Sequence, residues 1–229
     1  MFERFATRSY ELERLDTGDY TPAEYRRWQR EMWFIHRIFG ELRALRRTLF
    51  RDIEAAGYGD VSVLDVGAGS GELLRELAKW TMGRKTFFVG AELNAEATRT
   101  INSSTLAAVQ CDALRLPFPD DSFDYVFCSL FLHHLGDDDA VSLLKEMSRV
   151  ARKRIFAIDL NRHPSAYYLY KTLGSVLLQR FTLEDGSLSI LRSFSPDELV
   201  EIAKAAGLVD IKVEKSRVNR LILSGRKIS

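Results

Sequence analysis

The sequence predicts an α/β protein of three layers, in which helices cover both faces of a mostly parallel sheet. Two patterns lead to this prediction. Between about residues 61 and 161, apolar runs of strand length alternate with amphipathic segments of helix length, as parallel strands joined by helical crossovers require. Near the carboxyl end, two further apolar runs are separated by few residues, which favours an antiparallel hairpin at the end of the sheet.

Residues 1–58 are predicted to form an amino-terminal helical cap. Thr21 can cap a helix, Pro22 suits its first turn, and Glu24 can reach back to the cap amide. Apolar residues then recur at spacings of three and four on one helix face, at Tyr25, Trp28, Met32, Ile35 and Phe39. A second helix is expected over residues 41–56, before Gly57.

Residues 59–229 carry the alternating pattern and are predicted to form one domain. The expected strands are residues 61–66, 86–91, 107–111, 125–129, 154–158, 209–213 and 219–224. The expected helices are residues 71–80, 95–101, 138–150, 164–181 and 196–206, the last of them capped by Ser195. Residues 163–194 are interpreted as a lid beside the substrate, with a turn at residues 184–187.

Composition narrows the class of protein. The 229 residues include 33 Lys and Arg against 32 Asp and Glu, and this balance argues against a dedicated nucleic-acid binder. Hydrophobic residues make up 46% of the chain, which excludes disorder as the main state. Two cysteines and four scattered histidines indicate neither a disulfide scaffold nor a metal site. Without an apolar signal or spanning segment, we expect a cytoplasmic protein with no membrane partner.

The most informative segment is a glycine-rich turn between the first strand and the next helix. Gly67, Gly69 and Gly71 occupy alternate positions behind Asp65. Glycines at such a turn let the backbone approach a ligand, and the helix amino terminus offers unpaired N–H groups. A dinucleotide fingerprint would need Gly or Ala at the sixth position, where this chain has Glu72. The spacing therefore disfavours an NAD-dependent oxidoreductase.

The segment V-L-D-V-G-A-G-S-G at residues 63–71 resembles motif I of the class I S-adenosylmethionine-dependent methyltransferases. Three later segments fall where that family places its motifs. They are G-A-E-L-N at residues 90–94, C-D-A-L-R-L-P-F at residues 111–118, and F-D-Y-V-F-C-S-L-F-L-H-H-L at residues 123–135. The resemblance implies a Rossmann-like methyltransferase fold with seven strands, and S-adenosylmethionine as the cofactor.

The same resemblance implies roles for individual residues. Asp65, Gly67, Ala68, Gly69 and Gly71 would hold the methionine end of the cofactor. The resemblance assigns Glu92, which lies 21 residues after Gly71, to the ribose hydroxyls as a hydrogen-bond acceptor, with Leu93 beside it. Asp112 and the N–H of Ala113 would meet the adenine. Ser129 and Leu130 would flank the methionyl portion of the cofactor.

Two further segments are similar to a bacterial subgroup that acts on polyketide-like or quinone-like small molecules. They are D-L-N-R-H at residues 159–163 and I-H-R at residues 35–37. This similarity extends the expected cofactor site to Arg37, which would reach the cofactor carboxylate from the amino-terminal helix.

Catalysis needs the acceptor placed in line with the methyl group and, for a hydroxyl, a general base. His133, His134 and His163 are the candidate bases, because imidazole titrates near neutral pH. The alternatives are structural roles, such as a hydrogen bond at the end of a strand or a helix cap. No metal is expected.

Aromatic residues in the cap and in residues 164–194 predict a small, flat and lipophilic acceptor, such as a phenol, a pyrone or a quinone. The expected partner is this small molecule, with no nucleic acid and no membrane, and the chain is expected to be a monomer or homodimer.

Two other functions remain open. An RNA methyltransferase would need a basic patch at the cofactor mouth, and a non-catalytic accessory protein would bind S-adenosylmethionine without turnover.

Overall fold

The computed structural model describes residues 3–38, 40–57, 59–81, 83, 85–102, 106–216 and 219–228, without the side chains of residues 33 and 36–38. This part of the chain contains one sheet of seven strands. The strands are β1 (Val61–Val66), β2 (Thr86–Glu92), β3 (Leu106–Gln110), β4 (Phe123–Ser129), β5 (Ala151–Leu160), β6 (Val209–Lys215) and β7 (Arg220–Arg226).

The strands follow the order β3-β2-β1-β4-β5-β7-β6. Strands β1 to β5 are parallel to their neighbours, and β7 pairs antiparallel with both β5 and β6. Strand β6 therefore points the same way as the first five, and only β7 runs against them. The predicted mostly parallel sheet and its antiparallel carboxyl-terminal hairpin are confirmed.

Ten α-helices surround the described sheet. They are α1 (Arg14–Thr17), α2 (Pro22–Ile38), α3 (Glu41–Arg47), α4 (Leu49–Ala55), α5 (Glu72–Trp80), α6 (Ala95–Ile101), α7 (Asp137–Val150), α8 (Pro164–Leu177), α9 (Arg180–Arg192) and α10 (Pro196–Ala205). Short 3-10 helices occupy Glu3–Phe5 and Leu132–His134. In the described residues no helix is both long and apolar enough to cross a bilayer.

Two hydrophobic clusters make the three layers. On one face of the sheet, α7 and α10 pack over Leu64, Val126 and Ile155. On the other face, α3, α4, α5 and α6 pack over Val63 and Phe127. Since side chains alternate between the faces of a strand, the continuous apolar runs of β1 and β4 supply both clusters. Helices α3 and α4 thus join the sheet's own core, although they lie before residue 58.

Both predicted capping boxes form. The Oγ1 of Thr21 accepts a bond from the Glu24 amide at 3.2 Å, and a Glu24 carboxylate oxygen accepts from the Thr21 amide at 2.8 Å. Ser195 and Glu198 exchange the same two bonds at the start of α10. These pairs satisfy backbone N–H groups that the first turn of a helix leaves free.

Two local expectations are wrong. The helix expected over residues 41–56 is broken at Thr48, whose hydroxyl donates to the Ala44 carbonyl at 2.8 Å, a contact that bends helices. The turn expected at residues 184–187 is helical, within α9. Asp185 accepts bonds from the amides of Arg14 and Leu15 instead of closing a local turn. The helix expected over residues 164–181 is accordingly split into α8 and α9.

Candidate active site

The candidate site is a cavity of about 970 Å³ at the carboxyl ends of the parallel strands. It lies where the strand order reverses, because β1 has β2 on one side and β4 on the other. Open α/β sheets bind ligands at this switch point. One end of the cavity is lined by residues that follow β1, β2 and β4. The other end is lined by the amino-terminal segment, α2, α8 and α9.

The glycine turn after β1 lines the first end. Gly67 and Gly69 have φ angles of +71° and +53°, which side chains rarely adopt. A Cβ on Gly67 would lie 2.9 Å from the Phe131 ring, whereas a Cβ on Gly69 would meet no described atom within 4 Å. Gly67 is therefore needed for packing within the chain, and Gly69 leaves open space in which a ligand can approach the backbone.

Two carboxylates accompany this turn. Asp65 is buried at the end of β1 and lines the cavity. Burial, and to a smaller extent the Glu92 charge, raises the pKa of Asp65 well above its usual range. Glu92 accepts a bond from the Gly69 amide at 2.8 Å and another from the Asn94 amide at 2.9 Å. The cavity end is thus acidic, and Glu92 holds the turn that faces it.

The end of β4 contributes unusual backbone and an unsatisfied hydroxyl. Leu130 has a φ of +51°, and its amide donates to the Ile158 carbonyl at 2.8 Å. The Oγ of Ser129 and the Oδ1 of Asn161 are buried against the cavity without a hydrogen-bond partner in the described chain. Such orphaned atoms cost about 1–3 kcal/mol each, and a polar ligand in the cavity would satisfy them.

A buried histidine and aspartate form a pair beside these atoms. His133 donates its backbone amide to Asp159 Oδ2 at 3.0 Å, and its ring Nδ1 lies 2.6 Å from Asp159 Oδ1. Although burial raises the pKa of Asp159, the His133 charge and hydrogen bonds outweigh that effect and hold it below its usual range. The ionised carboxylate favours a proton on Nδ1, so in the neutral form of the ring Nε2 carries the lone pair.

The amino-terminal segment adds an acidic group at the same place. Glu13 is buried, lines the cavity, and accepts a bond from the Ser189 hydroxyl at 2.8 Å. Burial raises the pKa of Glu13 to about 7, while His134, Ser189 and Arg192 act in the opposite direction. His134 Nδ1 lies 3.2 Å from Asp16 Oδ1. Glu13, His133 and His134 are called the acid–imidazole cluster below.

Aromatic rings form part of the second end. Tyr20 stacks between Tyr25 and Phe181, with ring centroids 5.2 and 5.4 Å away, and Trp28 stacks on Tyr25 at 5.6 Å. Tyr20, Tyr25 and Trp28 also line the cavity. Stacked rings of this kind offer a flat apolar surface. Three of the aromatic side chains that the sequence assigned to the acceptor, Tyr20, Tyr25 and Trp28, therefore lie on the same cavity as the glycine turn.

Comparisons with known proteins agree with this arrangement. Residues 63–154 match the methyltransferase-domain family. The demethylmenaquinone methyltransferase of Roseiflexus sp. (strain RS-1) is 29% identical over 165 residues, which cover 65% of this chain and 68% of that protein. The ubiquinone/menaquinone biosynthesis C-methyltransferase UbiE of Hahella chejuensis is 34% identical over 139 residues, 54% of this chain and 55% of that protein. The chain thus spans about half the length of the second relative.

A solved structure extends the likeness to the whole fold. Magnesium protoporphyrin IX methyltransferase (ChlM) from Synechocystis PCC 6803, with bound SAH, has a TM-score of 0.62 at 14% identity, covering 90% of this chain and 95% of that one. The family match, these relatives and the fold together support the class I S-adenosylmethionine-dependent methyltransferase superfamily for this chain. They also support S-adenosylmethionine as the cofactor of this methyltransferase.

The cavity of the methyltransferase fits this cofactor on its own chemistry. A cationic sulfonium and ammonium suit a cavity end that carries Asp65 and Glu92. The open space at Gly69 allows contact with the backbone, and the orphaned Ser129 and Asn161 oxygens offer acceptors for a donor such as an ammonium. Each of these features lies at the carboxyl end of a parallel strand or directly after it.

The structure brings together most of the predicted cofactor residues. Those that line the cavity are Asp65, Gly67, Ala68, Gly69, Glu92, Ser129 and Leu130. Those that lie outside its lining are Gly71, Leu93, Asp112 and Ala113. Asp112 is exposed and accepts a bond from the Leu114 amide at 2.9 Å. The side chains of Trp33, His36 and Arg37, and the whole of Phe39, lie outside the described residues.

Two of the three histidines that the sequence predicted as bases line the cavity, and the third does not. His133 and His134 line the cavity, with ring centroids 4.2 Å apart. His163 does not line it. Its ring caps α8, where Nδ1 accepts a bond from the Ser165 amide at 3.2 Å.

Sequence reasoning missed Glu13, Asp16 and Asn161. Glu13 lies 120 residues before His133 in the chain, so no local spacing could relate the two. Asn161 is part of the D-L-N-R-H segment, and its place directly after β5 was the signal that could have found it.

Proposed function

We propose that this methyltransferase transfers a methyl group to a hydroxyl or an activated carbon of a small, aromatic and lipophilic acceptor. One observation carries the proposal. A single cavity of about 970 Å³ joins the glycine turn to the stacked rings of Tyr20, Tyr25 and Trp28, with the acid–imidazole cluster also in its lining. The similar methyltransferases of Roseiflexus and Hahella are named for demethylmenaquinone and for ubiquinone/menaquinone biosynthesis, which supports the choice of acceptor.

The division of work among the residues follows from their positions. When bound, S-adenosylmethionine supplies an activated methyl group on its sulfonium. Glu92 and Asp65 bind and orient the cofactor's hydroxyl and cationic groups from the glycine turn. The stacked rings hold a flat acceptor and exclude water from it. The acid–imidazole cluster removes the acceptor's proton, and Asp159 acts as a positioning residue that fixes the His133 ring.

Charge in the cavity favours this function over an RNA methyltransferase. Besides its two histidines, the described lining has two arginines, Arg26 and Arg220, and no lysine. It has seven carboxylates, namely Glu13, Glu41, Asp65, Glu72, Glu92, Glu96 and Asp185. A polyanion would meet net repulsion at this lining, whereas a neutral aromatic molecule would not. The buried His133–Asp159 pair also disfavours a non-catalytic accessory protein, because cofactor binding alone needs no group to move a proton.

The proposal is tested by supplying S-adenosylmethionine with an isotopically labelled methyl group and a panel of phenols, hydroxynaphthoquinols and pyrones. We expect mass spectrometry to find the label in at least one acceptor. His133→Asn should lower its turnover by about 10²–10⁴-fold without preventing cofactor binding. Label in a short RNA but in none of the small molecules would contradict the proposal. Cofactor binding without label in any acceptor or RNA would favour the accessory protein.

A further inference from the structure

Three potential metal ligands meet in the cavity. Glu13, His133 and His134 each place a ligand atom so that all three atoms lie within 4.8 Å of one another. All three residues line the cavity, and Glu13 and His133 are buried. Two imidazoles and one carboxylate form a ligand set typical of zinc and of non-haem iron or manganese. A set with three protein ligands leaves further coordination positions open.

The imidazoles are already held as metal-binding histidines usually are. His133 Nδ1 lies 2.6 Å from Asp159 Oδ1, and His134 Nδ1 lies 3.2 Å from Asp16 Oδ1. In metal sites the ring nitrogen that does not bind the ion is commonly held by a carboxylate, which fixes the tautomer and raises the basicity of the other nitrogen. Both rings therefore have Nε2 as the nitrogen available to an ion.

The charges around the cluster leave room for a cation. Glu13, Asp16 and Asp159 bring three carboxylates. Apart from the two imidazoles, which must be neutral to bind an ion, the cation paired with them among the described side chains is Arg192, whose guanidinium contacts Asp16 and lies 3.8 Å from Glu13 Oε1. Arg192 also donates to the carbonyls of His133 and His134, so it supports the loop that carries the ligands. Two negative charges remain uncompensated when all three carboxylates are ionised, which is the charge a divalent ion would balance.

Hydrogen bonds fix the carboxylate of Glu13 in the cluster. Ser189 donates to its Oε1 at 2.8 Å, and the Glu13 side chain also accepts a bond from the backbone in the first turn of α1. The carboxylate is therefore held in place within reach of the two imidazoles.

We infer that Glu13, His133 and His134 bind one divalent transition-metal ion, with zinc as the first candidate, in this cavity. This inference rests on the proposed function in one respect, since it states how the cluster removes the acceptor's proton. An acceptor hydroxyl forms a bond from its oxygen to the ion, which lowers the hydroxyl pKa, and the proton passes to solvent. Acceptors with a phenolic or enolic oxygen would therefore be preferred.

The binding test uses the full chain, stripped with a chelator and titrated with Co²⁺, whose d–d absorption reports coordination by nitrogen and oxygen. We expect absorption that saturates at one ion per chain and is displaced by Zn²⁺. Glu13→Gln and His134→Asn should each weaken Co²⁺ binding by at least about tenfold, and Asp159→Asn by about 10–100-fold. The matched control is Glu11→Gln, an exposed carboxylate two residues from Glu13, which should leave Co²⁺ binding unchanged.

The affinity of each variant for S-adenosylmethionine shows whether it has folded. No saturable Co²⁺ absorption in the wild-type chain would overturn the metal site, and so would equal binding by a folded Glu13→Gln variant. Failure of the proposed function can be told apart from failure of the metal site. Methyl transfer at full rate after chelation would contradict the inferred catalytic metal site and leave the proposed function standing. Metal binding without methyl transfer to any small acceptor would contradict the proposed function and leave the metal site standing.

Discussion

Glu92 has two tasks at the cofactor end of the cavity. Its oxygens accept bonds from the amides of Gly69 and Asn94, so the carboxylate ties the glycine turn to the end of β2. The family resemblance also assigns it to the ribose hydroxyls. Losing the side chain would therefore remove a charged acceptor and loosen the turn that faces the cofactor.

We predict that Glu92→Ala weakens S-adenosylmethionine binding by about 1–3 kcal/mol, because charged hydrogen bonds of this kind contribute that much. Calorimetric titration measures the change. The control is Glu76→Ala, which removes a carboxylate that pairs with Lys79 along α5, outside the lining of the cavity. Equal affinities for the two variants would show that Glu92 does not contact the cofactor.

Asp65 predicts a pH dependence of cofactor binding. Its pKa is raised by burial and, less strongly, by Glu92, so the free protein retains a proton there to a higher pH than an ordinary aspartate. A cationic ligand beside Asp65 favours the ionised form, and the proton must leave on binding. Affinity for S-adenosylmethionine should therefore fall as the pH drops through the raised pKa, by up to about tenfold per pH unit.

The variant Asp65→Asn isolates this effect, because asparagine keeps the shape of the side chain and has no proton to lose. It should bind S-adenosylmethionine more weakly than wild type at alkaline pH and show a shallower dependence on pH. Titrations of both proteins in the same series of buffers correct for ionisation of the cofactor itself. Parallel profiles would mean that Asp65 does not lose a proton on binding.

In the turn between β1 and α5, Gly67 is needed for packing within the chain, and Gly69 leaves room for a ligand. A Cβ on Gly69 meets no described atom, so Gly69→Ala carries only the cost of its positive φ, about 1–2 kcal/mol. Gly207→Ala is the matched control, since Gly207 has a φ of +78° and equally open surroundings after α10. Both variants should lose similar stability in urea unfolding, and only Gly69→Ala should lose cofactor affinity. Unchanged affinity in Gly69→Ala would remove the turn from the cofactor site.

The sheet and its crossover helices were predictable because their signals are local. The apolar run of β1, the glycine turn and the cap at Ser195 each lie within a few residues of the element they specify. The error at residues 184–187 has a different origin. Asp185 and Gly186 are typical of turns, but Asp185 accepts bonds from α1, and the Tyr170 hydroxyl packs where a Gly186 side chain would stand. Distant contacts decided the local structure.

In the whole molecule, buried arginines fasten the amino-terminal segment to the rest of the fold. Arg162, two residues after β5, donates to the carbonyls of Phe5 and Ser193 and to the Glu198 carboxylate. Arg8 of this segment pairs with Asp137, and Arg192 of α9 pairs with Asp16 of this segment. The candidate site could be predicted from sequence where it uses strand ends. The acidic part of the site could not be predicted, because these long-range ion pairs position the segment that carries Glu13.

We predict that Arg162→Met lowers the free energy of unfolding by about 3 kcal/mol, because it leaves a carboxylate and two carbonyls without their donor. Urea unfolding followed by circular dichroism measures this loss. The control is Arg180→Met, which breaks an exposed pair with Glu184 and should leave the free energy of unfolding almost unchanged. A similar loss in both variants would show that Arg162 does not secure the amino-terminal segment.

The glycine-turn end of the cavity is the proposed binding site of S-adenosylmethionine. Calorimetric titration of the purified chain with S-adenosylmethionine and, separately, with NADH tests this site. We expect saturable binding of one S-adenosylmethionine per chain with a dissociation constant of about 1–100 μM, and no heat from NADH. Binding of NADH, or of neither molecule, would show that this end of the cavity is not a site for S-adenosylmethionine.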